Sequence, residues 1–109
     1  MTDDVLQRLA RTIHARRTET VSTSYTRVLL DAGPAHCAKK LGEEATETVI
    51  AALGQDAGAL TREAADLLYH LLVLLESRNL PLREVMAELE SRMGTSGHTE
   101  KAARGTNAP

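Results

Sequence analysis

The chain has no phenylalanine or tryptophan, only two tyrosines and a single cysteine in 109 residues. Apolar residues make up 42% of it, almost all Leu, Ala and Val, a mix that suits helices better than sheets. One cysteine, Cys37, excludes an internal disulfide, and there is no CxxC pair or Cys/His cluster with zinc spacing. An excess of basic residues is also missing. Thirteen Lys and Arg against fifteen Asp and Glu leave a net charge of −2, which argues against a general nucleic-acid or membrane-binding surface and for a small-molecule partner. Long apolar runs are absent too: the longest, residues 67–75, is far too short to cross a bilayer. The opening MTDDVLQRLARTIHARR lacks the charged-then-apolar layout of a signal peptide. The expectation is a cytoplasmic protein of one domain.

What is present is helical spacing throughout. Thr2, Asp3 and Asp4 read as a helix start, and Val5, Leu6, Leu9, Ala10 and Ile13 recur at helical intervals to about His14. A polar link at 16–23 precedes a short helix at 24–31 closed by Gly33, and Pro34 suits the first turn of a helix running to Gly54. GQDAG at 54–58 reads as a turn. A fourth helix is expected over 59–78 and a fifth over 81–93, with Asn79 and Gly94 as terminators. The predicted organisation is an all-α domain of five helices over 1–93 and a polar, mobile tail over 94–109.

The fourth helix contains LLYHLLVLL, apolar around nearly its whole circumference, and such a helix has to be surrounded. Five helices offer little cover. The expectation is therefore a homodimer in which the central hairpin, the third and fourth helices, forms a four-helix bundle core with its copy.

The stretch LGEEATETVIAALG, 41–54, places Glu43, Glu44 and Glu47 within five positions, and no Lys, Arg or His occurs from Leu41 to Thr61. Residues three apart share a helix face, so Glu44 and Glu47 form one pair, and Glu63 and Asp66 another. Glu47 with Glu63 and Glu44 with Asp66 share a midpoint at residue 55, inside the turn. In an antiparallel hairpin the two pairs come level. If both face inward, four carboxylates share a patch, and they must take up protons or be neutralised by a cation. Oxygen-only ligands suit a hard ion, Mg²⁺ or Mn²⁺. A solvated acidic face is the plain alternative. Against it, the third helix has Val49, Ile50, Ala51 and Ala52 where a surface helix would place Lys or Arg, and Ala45, Ala64 and Ala65 would let the helices approach closely.

An ion held there would bind phosphate chains and acidify a water, and Lys39 and Lys40, a turn earlier, could reach terminal phosphates. Metal-assisted hydrolysis of a nucleotide phosphoanhydride is the leading reaction class. Cys37 reads as a buried filler and Tyr69 as packing, while His70, four residues after Asp66, reads as a hydrogen-bonded core histidine in preference to a partner standing behind the acidic site. His14, His36 and His98 have no evident partners.

SYTRVLLDAGPAHCAKKLGEEATETVIAAL followed by EAADLLYHLLVLL closely resembles the phosphoribosyl-ATP pyrophosphatase family of the all-α nucleotide pyrophosphatases. The superfamily's ExxE and ExxD match Glu44, Glu47, Glu63 and Asp66, with fifteen residues between Glu47 and Glu63. SYT at 24–26, the KK-x-GEE-x-x-E run at 39–47 and SGHTEKAAR at 96–104 add to the likeness, though His98 and Thr99 depart from the usual filling. The resemblance implies hydrolysis of phosphoribosyl-ATP to phosphoribosyl-AMP and pyrophosphate, the second step of histidine biosynthesis. It implies Mg²⁺ on Glu44, Glu47, Glu63 and Asp66, one of these or Glu43 acting on the attacking water, and Lys40 with Lys39 on phosphates. Ser24, Tyr25 and Thr26 would line the substrate pocket, unless they are only a helix cap with a packed ring. It further implies a free-standing enzyme, not fused to the cyclohydrolase that acts next. Two rivals stand beside this reading: a housecleaning hydrolase of noncanonical nucleoside triphosphates, and a non-catalytic helical dimer adaptor.

Overall fold

The computed structural model describes residues 4–20 and 24–94. Five α-helices and no strand occur among them: α1 (Val5–Ala15), α2 (Tyr25–Ala32), α3 (Pro34–Gly54), α4 (Ala57–Ser77) and α5 (Leu82–Met93). The expected mobile tail, with His98 and Thr99, lies outside the described residues except for Gly94, as do Thr2 and Asp3 of the expected helix start.

Each helix end has a local cause. Asp4 caps α1 through a reciprocal pair, its side chain accepting from Gln7 N while the Gln7 side chain accepts from Asp4 N. Gly33 sits between α2 and α3 at φ +96°, a backbone state that suits glycine, and Pro34 opens α3. The α3–α4 link is shorter than GQDAG suggested. Only Gln55 and Asp56 lie outside the helices, because Asp56 accepts from Ala59 N at 2.8 Å and starts α4 two residues early. At the other end of α4, Asn79 takes a left-handed conformation at φ 58°. Its N–H bonds Glu76 O, and Leu80 N–H bonds Leu75 O at 2.9 Å, closing a Schellman turn before Pro81.

The buried apolar centre is small: Ile13 from α1, Leu29 from α2, Cys37 from α3, and Leu72 and Val73 from α4. Leu6, Leu9, Leu30, Tyr69, Leu74, Leu75 and Leu82 close around it. Cys37 is the buried filler expected, with Sγ donating to Leu29 O at 3.2 Å. The polar link after α1 holds more order than expected. Arg16–Thr18 form a 3₁₀ turn, and Arg17 bonds the Glu76 carboxylate, the Glu76 carbonyl and Asn79, clamping α1 to the end of α4. His14, which had no evident partner in the sequence, joins the clamp with Nδ1 at 2.9 Å from Glu76 Oε2. No described helix is long and apolar enough to cross a membrane.

Candidate active site

The acids lie on the α3–α4 hairpin, the most extensively packed helix pair. A threonine locks the two arms beside them. The Thr48 hydroxyl, 2.8 Å from Glu44 O on its own helix, also stands 3.2 Å from Glu63 O on the other. Glu44, Glu63 and Asp66 then each bring a carboxylate oxygen to within 4.8 Å of the others. Glu44 forms a sheltered floor, its side chain 14% exposed and its Oε2 buried without a hydrogen-bond partner. Asp66 is exposed at the rim and Glu63 is intermediate. Glu47 is exposed and stands outside this converging trio, although its carboxyl adjoins that of Glu44.

Burial raises the Glu44 pKa first; the neighbouring Glu47 carboxyl, then Asp66 and Glu63, add to it, pushing it up to about 6. Two carboxylates at the 4.8 Å limit of the cluster repel by roughly 1 kcal/mol in water and about 3 kcal/mol at the effective dielectric of a protein. Three of them need a proton or a cation among them. The donor set is all oxygen, and one buried oxygen lacks a donor, so these residues fit a hard divalent ion such as Mg²⁺ or Mn²⁺.

The neighbouring candidates divide clearly. Glu43, about 100° around the helix from Glu44, pairs with Lys40 at 3.1 Å, and that ammonium holds its carboxyl below the usual range. Lys39 is exposed on the preceding position. Of the three residues at the start of α2, Ser24 is the N-cap, accepting from Arg27 N at 3.1 Å, and Thr26 is buried with its hydroxyl on Tyr69 Oη. Tyr25 alone of the three is open to a ligand, at 56% exposure.

His70 corrects one expectation. It is buried, but not hydrogen-bonded: Nδ1 has no partner, and Nε2 lies 3.9 Å from Glu44 Oε1. Burial first, and the Lys40 charge next, hold its imidazole below the usual histidine range. Thr48 is the contributor that sequence reasoning passed over, whereas His70 stood among the candidates as a partner of the acidic site. The signal for His70 was its place four residues after Asp66, on the same face. A cavity of about 730 Å³ lies elsewhere, lined by Gln7, His14, Leu72, Glu76, Leu82 and Met86 among others, and none of Glu44, Glu47, Glu63 and Asp66 borders it.

Helices and no strand among the described residues, with ExxE on one arm of an antiparallel hairpin and ExxD on the other, mark the class: an all-α pyrophosphatase. Residues 6–93 match the phosphoribosyl-ATP pyrophosphohydrolase family, and the chain belongs to it. It is 55% identical over 101 residues to the phosphoribosyl-ATP pyrophosphatase of a Cereibacter sphaeroides strain, covering 93% of this chain and 98% of that protein. The phosphoribosyl-ATP pyrophosphatase of a Jannaschia species is 56% identical over 99 residues, 91% of this chain and 97% of the relative. Phosphoribosyl-ATP pyrophosphatase 1 of Rhodopseudomonas palustris is 54% identical over 99 residues, 91% and 92% of the two chains.

Proposed function

We propose that this protein hydrolyses phosphoribosyl-ATP to phosphoribosyl-AMP and pyrophosphate, the second step of histidine biosynthesis, with a divalent cation held by Glu44, Glu63 and Asp66. The observation that carries the reading is the convergence of these three carboxylates around a buried, unpartnered Glu44 oxygen, in a chain of this family. Mg²⁺, or Mn²⁺ in its place, would cancel phosphate charge and acidify a bound water.

The chain's own groups divide the remaining work. Glu47 adjoins Glu44 from an exposed position, which suits completing the ligand set or orienting the attacking water. Glu43 suits the proton-accepting role less well, because Lys40 holds it as an ion pair. Lys40, only partly exposed and beside the acids, would exchange Glu43 for a substrate phosphate, with Lys39 a further cation on the same stretch. Tyr25 offers an exposed ring near the cluster, while Ser24 and Thr26 shape the start of α2 from inside.

We place the catalytic domain at 1–93, with 94–109 as an appended tail, acting in the cytoplasm as a homodimer. Val49, Ile50 and Leu53 support the dimer: they share one side of α3 and are 58%, 53% and 84% exposed, with Leu68 of α4 also uncovered. Packing α3 and α4 against a second copy would cover them in a four-helix bundle. A monomer in sedimentation equilibrium at micromolar concentration would remove this part.

The deciding assay is pyrophosphate release with and without Mg²⁺. Phosphoribosyl-ATP should be consumed far faster than dUTP, dCTP or ATP, and only with the metal. The reverse order of substrates would make the protein a housecleaning hydrolase; no turnover and no saturable metal binding would leave a helical adaptor.

A further inference from the structure

We infer that His70 is a positioning residue for Glu44, its Nε2–H steadying Glu44 Oε1 so that the buried Oε2 stays free for a cation. The inference rests on the reading of Glu44, Glu63 and Asp66 as the cation-holding set.

The first ground is the environment of the ring. The His70 side chain is 7% exposed, and its Nδ1 has neither a protein partner nor access to solvent. Burying such a nitrogen costs about 1 to 3 kcal/mol. If the position only filled space, an apolar side chain would do so at less cost, as Leu72 and Val73 do two and three residues further on. The polar ring needs a use, and its other nitrogen has one. Nε2 points to Glu44, 3.9 Å from Oε1, some ~0.7 Å beyond a normal N–H···O bond. A neutral imidazole carries a single N–H, and placing it on Nε2 gives Glu44 a donor.

The second ground is how the ring is held. Tyr69 meets it edge-on, with centroids 5.0 Å apart and planes at 78°, and Tyr25 does so at 6.4 Å and 88°. Tyr69 is itself tied to Thr26 of α2. Two aromatic rings thus limit the turning of the imidazole, whose Nε2 stands nearest the acid. The contacts run in series from the start of α2, remote in sequence from both acid pairs: Thr26 bonds Tyr69, Tyr69 meets His70, and His70 stands beside Glu44. Side chains that hold a metal-binding carboxylate or imidazole in place commonly change metal affinity by 10- to 100-fold when removed.

The test is Mn²⁺ calorimetry on the full chain at one fixed pH, for wild type, His70→Phe and His70→Gln, with thermal melts of the metal-free proteins. Phe keeps the ring packing and removes both nitrogens; its Mn²⁺ Kd should rise about 10- to 100-fold while its Tm holds or increases. Gln restores an N–H donor and should recover affinity to within a few-fold of wild type. Wild-type Mn²⁺ affinity in His70→Phe overturns the inference and leaves the cation site standing. Wild type without saturable Mn²⁺ binding brings down both. Should the Phe ring prevent folding, His70→Met takes its place as the non-donor of similar length, and equal Mn²⁺ affinities in the Met and Gln variants overturn the positioning role.

Discussion

Glu44 on α3 and Glu76 on α4 are sheltered to nearly the same degree, with side chains 14% and 17% exposed, yet their surroundings are opposite. At Glu76 burial pushes the carboxyl up, but Arg17 and His14 outweigh it and hold the group below its usual range. At Glu44 burial acts in the same direction, and the neighbours are Glu47, Asp66 and Glu63, which push further the same way. One carboxylate has its countercharge built into the fold, where it fastens α1 to α4. The other has none of comparable closeness, and its nearest basic group is a histidine 3.9 Å away. An uncompensated acid cluster costs stability, so the contrast separates a group that holds the fold from one that does not, as the proposed cation site requires.

The sharpest way to break the comparison is to neutralise each acid in turn. Glu44→Gln should lower pyrophosphate release by several kcal/mol of activation energy, on the order of 10³-fold, while the metal-free protein melts at the same or a higher temperature. Near-wild-type turnover in steady-state assays would remove Glu44 from the site. Glu76→Gln should do the reverse. Loss of a charge-assisted pair with a partly exposed arginine should cost about 2 kcal/mol in urea denaturation, with kcat little changed. A variant that loses activity but not stability would show that the clamp reaches the chemistry.

Titration sharpens the same contrast, with a smaller effect. The Glu44 pKa is raised on folding, so its contribution to stability is present in acid and is lost as pH rises through about 6. The Glu76 pKa is lowered, so its contribution is present above the ordinary glutamate range and is lost as pH falls through the depressed value. In metal-free melts, Glu44→Gln should flatten the decline near pH 6, and Glu76→Gln should flatten the decline on the acid side only. Identical pH profiles for the two variants would contradict the opposed environments.

Much of this was legible in the chain itself. The helix ends followed from Asp4, Gly33, Pro34 and Asn79, whose effects are local. The meeting of the acids followed from their common midpoint at residue 55, because an antiparallel hairpin with a short turn leaves little freedom in which residues come level. Glu47 illustrates the limit of that argument: a shared height does not fix the direction of a long side chain, and Glu47 stands outside the trio. Nor did local pattern reveal that Arg17 and His14 reach Glu76, about sixty positions away, or that Thr48 bonds across to Glu63. Those contacts depend on how whole helices cross. For the same reason Ser24, Tyr25 and Thr26 read alike in sequence, although the fold points Thr26 inward to Tyr69 and leaves Tyr25 outside.

The two-residue link at Gln55 and Asp56 acts as a phase gauge for the whole molecule. One residue added to α4 between Asp56 and Glu63 would swing the ExxD acids by about 100° and carry them away from Glu44, whereas four added together would nearly restore their bearing one turn out of step. A change of one residue in the length of this segment would therefore part the two acid pairs, whichever residues it contains.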